Sequence, residues 1–388
     1  MNPLEWRATS GLSLIYALRM LGMFMILPVF ALYARDLPGG VTPMQIGLAI
    51  GIYGLTQASL QIPFGMLSDR IGRKPVIVGG MLMFAFGSVV AGLSHTIEGI
   101  ILGRALQGSG AVASSVSALL ADSTRDAVRT QAMTVLGIGM GVAFGAAMVL
   151  GPIVAGWSGL HGIFFLTAVL ALCAIPLTLF YIPPQPRRSA AFNGRFREVL
   201  KDRDLLKLDG GIFLLHAVLT SMFVAMPLAI EDTLQLSRHQ HWWVYLPVLL
   251  VSGALVFPFI RWVETRGWGS AAFLGSIAAL TGALLLAAGL HVHAIALLAA
   301  LLMFFLAFNY LEGSLPSMIS RRAPADQKGA ALGTYSTSQF LGNFAGGSFG
   351  GWALGEGGVA TVFAAGAVLP LLWLMIAFRS RPAPAVRV

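Results

Sequence analysis

Residues 65–74 read GMLSDRIGRK and interrupt a long apolar sequence with a short charged turn. The four charged residues of this turn lie within six positions and are Asp69, Arg70, Arg73 and Lys74. Residues 37–68 before the turn and 75–97 after it contain no Asp, Glu, Lys or Arg. Of all 388 residues, 57% are hydrophobic and 11% are charged, against roughly 25% charged in a soluble domain. This composition predicts an integral membrane protein.

The apolar stretches have the length of membrane-spanning helices, which need about 20 residues each. They do not alternate with period two, as strands of a membrane barrel would. We therefore predict an all-α protein with twelve transmembrane helices. The predicted spans cover residues 10–34, 43–67, 75–94, 97–121, 131–156, 160–182, 209–231, 242–263, 270–290, 292–316, 331–355 and 358–378.

The basic residues predict the orientation in the membrane. With the N-terminus inside, 21 of the 25 Lys and Arg lie on the inner side, two lie in outer loops, and Arg19 and Arg104 lie within spans. Basic residues are enriched on the cytoplasmic side of membrane proteins. We therefore expect a multi-pass protein of the bacterial cytoplasmic (inner) membrane with both termini in the cytoplasm. The net charge of +9 then reflects topology and attraction to anionic lipids, and we expect no nucleic-acid partner.

The two halves of the chain resemble each other at a constant offset of 195 residues. PFGMLSDRIGRK at 63–74 matches PFIRWVETRGWG at 258–269, and GPIVAGW at 151–157 matches GGSFGGW at 346–352. Two separated matches at one offset predict two six-helix bundles related by pseudo-two-fold symmetry. Repeated halves of this kind are typical of transporters that rock about a central site.

The predicted bundles are residues 1–182 and 209–388. Between them lies the longest polar stretch, residues 183–208, which begins with a proline cluster and continues with many basic residues. Two interpretations are open for this segment. It is either a solvated cytoplasmic linker or an amphipathic helix that lies on the inner leaflet.

Three motifs carry a resemblance to a known family. GMLSDRIGRK fits the G-x-x-x-D-R-x-G-R-K signature of the major facilitator superfamily. RALQGSGA at 104–111 resembles the fourth-helix motif of that superfamily, and LGPIVAG at 150–156 resembles the fifth-helix motif of its drug/proton antiporter branch. Across all twelve spans the chain is similar to the YajR-type members of this branch, for example in STSQFLGNFAGGSFGGW at 336–352.

The resemblance implies a proton-driven antiporter that exports small lipophilic compounds, including drugs, by alternating access and without a cofactor. We expect protons and membrane lipids as its other partners, and a monomer. Two alternatives remain open on the same fold: a proton-coupled symporter or facilitator of a polar nutrient, and a lipid transporter. We do not expect an enzyme, because the spans contain no nucleophile with a positioned base and no clustered metal ligands.

The charged turn has two interpretations. In the family, the matching Asp and Arg form a charge network that latches the two halves together on the cytoplasmic side. The resemblance therefore assigns a cytoplasmic latch to Asp69, Arg73 and Asp122, with Arg70 and Gly72 in the same motif. Independently, Asp69 lies near a helix C-terminus, where the helix dipole disfavours an anion, so it needs a cationic or N–H partner. The basic residues of the turn also act as topology signals.

Ionisable residues within the spans are the candidates for proton coupling. Charge inside a membrane is costly and usually marks a pathway or a pair. A carboxyl group such as Glu312 can take up a proton on one side and release it on the other. The alternative for each candidate is a purely structural role. It could belong to a permanent ion pair, fill space in the packing, or act as a structural hydrogen-bond donor. The candidates are Glu312, His216, Arg19, and Arg104 with Gln107, three residues further along the same helix face.

The fifth-helix motif supplies Gly151, Pro152 and Gly156, which the resemblance links to antiport. Small residues permit close helix packing and proline can kink a helix, so ordinary tight packing is the alternative interpretation.

By the resemblance, helices one, four, seven and ten line the substrate cavity. Met and Phe side chains there suit adaptable binding of lipophilic compounds, although lipid-facing residues would have the same composition. The assigned cavity residues are Met23, Phe24, Met222, Met226, Phe308 and Asn309. We expect no metal site, because the single Cys173 lies within a span and the histidine pairs 239/241 and 291/293 are interpreted as loop residues.

Overall fold

The computed structural model describes residues 1–183, 196–324 and 327–379, and within these ranges the chain is helical and contains no strand. The all-α prediction is confirmed. The helices are α1 (Pro3–Phe24), α2 (Phe30–Ala34), α3 (Pro43–Ile71), α4 (Arg73–Leu93), α5 (Ile97–Ser109), α6 (Ala113–Asp122), α7 (Asp126–Pro176, followed by a π-helical turn, Leu177–Tyr181), α8 (Phe196–Val199), α9 (Arg203–Leu234), α10 (Trp242–Arg266), α11 (Gly269–Leu290), α12 (Ala294–Arg322) and α13 (Lys328–Arg379).

Two of the helices are long enough for two membrane spans each. The segment Asp126–Tyr181 has 56 residues and α13 has 52. Each is interrupted at glycine: the first at Gly159 (φ 64°, ψ −163°), and α13 at Gly357 (φ −158°, ψ 22°) and Gly358 (φ 73°, ψ −163°). Glycine adopts positive φ without the steric cost that a side chain brings. Divided at these glycines, α7 provides spans five and six and α13 provides spans eleven and twelve, so the helices fit the twelve-span fold.

The chain forms two compact units. Unit 1 contains Met1–Val41 and the described part of Ile52–Gly194, and unit 2 contains Thr42–Gly51 and the described part of Arg195–Val388. Helix α3 therefore contributes its first turns to unit 2 and the remainder to unit 1. Residues 184–195 of the predicted linker lie outside the described residues, and the following residues form α8 and the start of α9.

The first predicted span, 10–34, differs from the structure at its start. Helix α1 begins already at Pro3, because Asn2 and Glu5 form a capping box. The Glu5 N–H donates to Asn2 Oδ1 at 2.8 Å, and the Asn2 N–H donates to Glu5 Oε2 at 2.7 Å. This reciprocal pair satisfies two donors that a helix start otherwise leaves open. The span also breaks after Phe24 and resumes as α2 at Phe30.

Glu5 also joins the start of α1 to the start of α7. Arg125 donates from Nε to Glu5 Oε1 at 2.7 Å and from Nη2 to Glu5 Oε2 at 3.0 Å. The Arg125 guanidinium, followed by the Asn2 N–H, lowers the pKa of the Glu5 carboxyl to about 2. The carboxylate therefore remains ionised at physiological pH, and the two helix starts remain paired.

Helices α9 and α13 of unit 2 pack in close backbone contact. Three glycines of α13, spaced four residues apart, face the α9 backbone. A Cβ atom at Gly342 would lie 2.2 Å from the Phe213 carbonyl oxygen, and one at Gly346 would lie 2.1 Å from the Ala217 carbonyl oxygen. The contact points advance by four residues on both helices, which indicates that α9 and α13 run side by side in the same direction. Only glycine permits this backbone approach.

The same type of contact occurs at the repeat-related position of unit 1. Gly151 precedes Gly346 by the 195-residue offset. A Cβ atom at Gly151 would lie 2.3 Å from the carbonyl oxygen of Met25, the residue that follows α1. The internal repeat is therefore visible in the packing within each unit as well as in the sequence.

We predict that Gly346→Ala destabilises the protein. The added Cβ meets a backbone oxygen that cannot move aside, so α13 must shift away from α9, and overpacking of this kind costs about 1–3 kcal/mol. A lower unfolding temperature of the detergent-solubilised protein should report the change. The control is Gly253→Ala in α10, where a Cβ would have no neighbour within 4 Å and the better helix propensity of alanine should leave stability equal or higher. Equal behaviour of the two variants would contradict the packing argument.

Candidate coupling and gating sites

The charged turn places Arg73 between two carboxylates. Arg73 Nη1 lies 2.5 Å from Asp69 Oδ1, and Arg73 Nε lies 3.3 Å from Asp122 Oδ2. Arg73 Nη1 also donates to the Ser68 hydroxyl at 2.6 Å. Gly72, with φ 105°, forms the turn that brings Arg73 back over the end of α3. The cluster therefore joins α3, α4 and α6 within unit 1.

Helix geometry favours this arrangement. Asp69 lies near the C-terminus of α3, and Asp122 is the last residue of α6. Both ends carry the partial negative charge of the helix dipole, which a cation stabilises, and Arg73 supplies that cation to both. Arg70, by contrast, is exposed and has no ion pair or hydrogen bond with any described residue. Its role as a topology signal and the latch role of the cluster remain predictions.

Arg19 is fully buried in unit 1, and its position depends on a break in span four. The predicted span 97–121 is not one helix: α5 ends at Ser109 and α6 begins at Ala113. The break leaves the Gly110 carbonyl outside the regular helix ladder, and Arg19 Nη2 donates to this oxygen at 3.0 Å. The same nitrogen donates to Gln57 Oε1 at 2.6 Å.

Arg104 and Gln107 form a second part of the same buried network. Arg104 Nη1 donates to Gln107 Oε1 at 2.9 Å, and Gln107 Nε2 donates to the Ser88 hydroxyl at 2.7 Å. The Tyr53 ring lies next to both cations, with its centroid 5.1 Å from Arg104 Cζ and 5.8 Å from Arg19 Cζ. Contact of a cation with an aromatic ring offsets part of the cost of burying the charge.

Sequence reasoning missed the α3 side of this network. Gln57 bonds to Arg19, accepts from the Tyr53 hydroxyl at 3.3 Å and donates to Gln61 Oε1 at 2.9 Å. Gln57 and Gln61 are spaced four residues apart, so they lie on one face of an otherwise apolar helix. These two glutamines on one face of an apolar helix were the sequence signal for a buried polar network, and they could be recognised without knowledge of their partners.

Glu312 and His216 come together in unit 2. His216 Nδ1 lies 3.8 Å from Glu312 Oε2. Gln339 Nε2 lies 2.8 Å from His216 Nε2 and donates to Glu312 Oε1 at 3.3 Å. Gln339 is a second residue that the sequence interpretation missed. It lies one turn before Gly342, so the glycine contact between α9 and α13 is what brings its amide to His216.

The fifth-helix motif divides into a buried part and an exposed part. Gly151 and Pro152 are buried, with Gly151 packed against the chain that follows α1, whereas Gly156 is exposed. The structure therefore supports tight packing for the first two residues. Their link to antiport remains a prediction.

The predicted cavity residues lie in both units. Met23, in unit 1, and Met222, Met226 and Phe308, in unit 2, are buried. Phe24 makes an edge contact with the Phe144 ring, with centroids 5.0 Å apart. Asn309 Nδ2 donates to the Ser252 hydroxyl at 3.2 Å. Their role in substrate binding remains a prediction. Among the described residues, no group of three or more His, Cys, Asp or Glu could hold a metal ion.

Comparison with known proteins identifies the family. The family model of the Major Facilitator Superfamily matches residues 12–347. The inner membrane transport protein YajR of Escherichia coli (strain K12) is 47% identical over 391 residues, which cover 100% of this chain and 86% of that protein. The multidrug resistance protein MdtH of Aeromonas salmonicida (strain A449) is 25% identical over 349 residues, which cover 86% of this chain and 84% of that protein.

Solved structures agree with this fold. The crystal structure of a bacterial homolog to the human lysosomal transporter Spinster, in an inward-facing and occupied conformation, aligns with a TM-score of 0.78 at 15% identity and covers 98% of this chain and 97% of that chain. With a family model across most of the chain and a full-length relative at 47% identity, the chain belongs to the major facilitator superfamily of membrane transporters and is not an enzyme.

Proposed function

We propose that this multi-pass inner-membrane protein is a proton-coupled antiporter that exports small lipophilic compounds by alternating access, with both termini in the cytoplasm and no cofactor. The observation that carries the proposal is the contact of Glu312 with His216 and Gln339 inside unit 2. This arrangement places a carboxyl group that can bind a proton next to two side chains that can sense whether it is charged.

Protonation changes what Glu312 does to its neighbours. As a carboxylate, it only accepts hydrogen bonds, and it attracts the amide of Gln339 and the His216 ring. As a neutral acid, it loses the charge and gains an O–H donor. Gln339 belongs to α13 and His216 to α9, so the proton changes the interaction between these helices. One proton entering along a 100 mV potential supplies about 2.3 kcal/mol, which is enough to bias a two-state equilibrium.

The substrate class is supported by composition and by one relative. The Met and Phe side chains assigned to the cavity suit adaptable binding of apolar molecules, and the relative MdtH is named for multidrug resistance. Lipids and polar nutrients are the other substrate classes to be tested.

The cytoplasmic latch of Asp69, Arg73 and Asp122 has a separate role in this proposal. The ion pairs between these residues are partly shielded from water and hold three helix ends of unit 1 in one arrangement. We infer that this arrangement favours the state that is closed towards the cytoplasm. Loss of the Asp69 charge then shifts the protein towards the state that is open to the cytoplasm.

The first prediction concerns coupling. In proteoliposomes with an imposed pH gradient, addition of a transported lipophilic compound should dissipate the gradient, and Glu312→Gln should reduce this dissipation to the level of protein-free vesicles. A pH-sensitive dye follows the gradient while lipophilic cations and neutral compounds are added in turn. The matched control is Glu356→Gln, an exposed acid of the same unit, which should leave the flux unchanged. Compound-dependent flux that persists in Glu312→Gln would rule out Glu312 as the coupling residue.

The same assay decides between the substrate classes. If folded wild-type protein responds to no lipophilic compound, lipids and polar nutrients are added next. A response to either of these classes alone would overturn the drug-efflux part of the proposal and leave the coupling role of Glu312 to be tested with the new substrate.

The second prediction concerns the latch. Spin labels at Ile71→Cys and Arg266→Cys, two exposed positions related by the repeat, report the distance between the cytoplasmic helix ends in a Cys173→Ser background. We expect Asp69→Asn to shift the distance distribution towards longer values, because Arg73 loses its shortest ion pair. Arg70→Gln is the matched control, since Arg70 has no ion pair with a described residue, and it should cause no shift. An unchanged distribution in Asp69→Asn would exclude the latch role.

A further inference from the structure

Asp209 is a buried acid on α9 that has no role in the proposed coupling of Glu312, His216 and Gln339. Its exposed fraction is 4%, and neither of its carboxyl oxygens has a hydrogen-bond partner among the described residues. It precedes His216 by seven residues, so both side chains lie on the same face of α9, two turns and about 10 Å apart. Asp209 therefore lies on the side of His216 and Glu312 that the charge pattern predicts to face the cytoplasm.

Tyr335 is a buried neighbour of the two acids. It interacts with the charge of both Glu312 and Asp209, and its hydroxyl has no hydrogen-bond partner among the described residues. Tyr335 precedes Gln339 by one turn of α13, which is about 6 Å. Both acids therefore lie near the same buried side chain of α13.

The cations near Asp209 are engaged elsewhere. Among the described residues, Asp209 has no ion pair. On the first turn of α9, Asp204 pairs with Lys207, with Nζ 3.1 Å from Oδ1, and it also pairs with Arg322 at the end of α12. The titratable groups that α9, α12 and α13 bring towards Asp209 are thus Tyr335 and Glu312, and beyond them His216. Two carboxylates in a low-dielectric region repel each other, so sharing one proton between them is favourable.

We propose that Asp209 is a second proton-binding residue, on the side of Glu312 that faces the cytoplasm. The inference rests on the proposed proton coupling and extends it. When Glu312 releases its proton to water that enters from the cytoplasm, the Asp209 carboxylate accepts that proton. Glu312 is left as a carboxylate, and Asp209 is a neutral acid that then releases its proton to cytoplasmic water.

The test measures protonation directly and needs no transported compound. Full-length protein in lipid bilayers is titrated while infrared difference spectra follow the C=O stretch of protonated carboxyl groups. We expect two buried carboxyl groups to titrate in the wild type. Glu312→Gln and Asp209→Asn should each remove one of the two. The control is Asp232→Asn, an exposed acid at the other end of α9, which should leave both signals in place.

The outcomes distinguish a failure of the inference about Asp209 from a failure of the coupling proposal about Glu312. If the Glu312 signal is present and Asp209→Asn changes nothing, the inference is wrong while the coupling proposal stands. If neither group titrates, the coupling site itself is wrong. A signal at Asp209 that responds to Na⁺ instead of pH would also overturn the inference, because it would make the residue a sodium ligand.

A further measurement tests the inference independently of the infrared signals. Asp209→Asn should raise the unfolding temperature at neutral pH, because an unpartnered buried charge is removed. A lower temperature would indicate a structural role for the carboxylate.

Discussion

The close backbone contact between α9 and α13 is the constraint on which unit 2 depends. Gly342, Gly346 and Gly350 let α13 approach α9 so closely that a single methyl group would collide with the α9 backbone or with Ser221. The approach sets the register between the two helices. Because of that register, Gln339 reaches His216 and Tyr335 lies near Asp209. The arrangement of the ionisable residues is thus a consequence of residues that carry no chemistry themselves.

Buried ionisable side chains remain partly unsatisfied in both units. In unit 1, Arg19 and Arg104 donate to amide and carbonyl oxygens and contact the Tyr53 ring, but Arg19 Nε and Nη1 have no hydrogen-bond partner among the described residues. In unit 2, Glu312 Oε2 and both carboxyl oxygens of Asp209 likewise have no partner among these residues. An unsatisfied buried charge is costly. Arginine stays charged, whereas a carboxyl group can lose its charge by binding a proton, which is consistent with a proton-carrying function for the acids.

Much of the fold could be predicted from the sequence, because the signals involved are local. The apolar stretches, the charged turns and the 195-residue repeat led to twelve spans in two related halves. What could not be predicted were the breaks within helices and the partners of the buried polar side chains. Span four breaks at Gly110, and the residue that donates to the freed carbonyl, Arg19 of α1, is 91 residues away in sequence. Gln57, Gln339, Tyr335 and Asp209 were missed for the same reason: a polar residue in an apolar helix is visible, but its importance depends on which helix faces it.

The glycine turns at Gly159 and at Gly357 with Gly358 have a consequence for how the chain is made. Each joins two spans with no loop. Neither pair therefore has a polar segment that could stay on one side of the membrane after the first helix has inserted and before the second inserts. We therefore expect spans five and six, and likewise eleven and twelve, to enter the bilayer together as helical hairpins, so that these four spans form two insertion units. For the same reason, these turns offer almost no polypeptide that a protease or an antibody could reach.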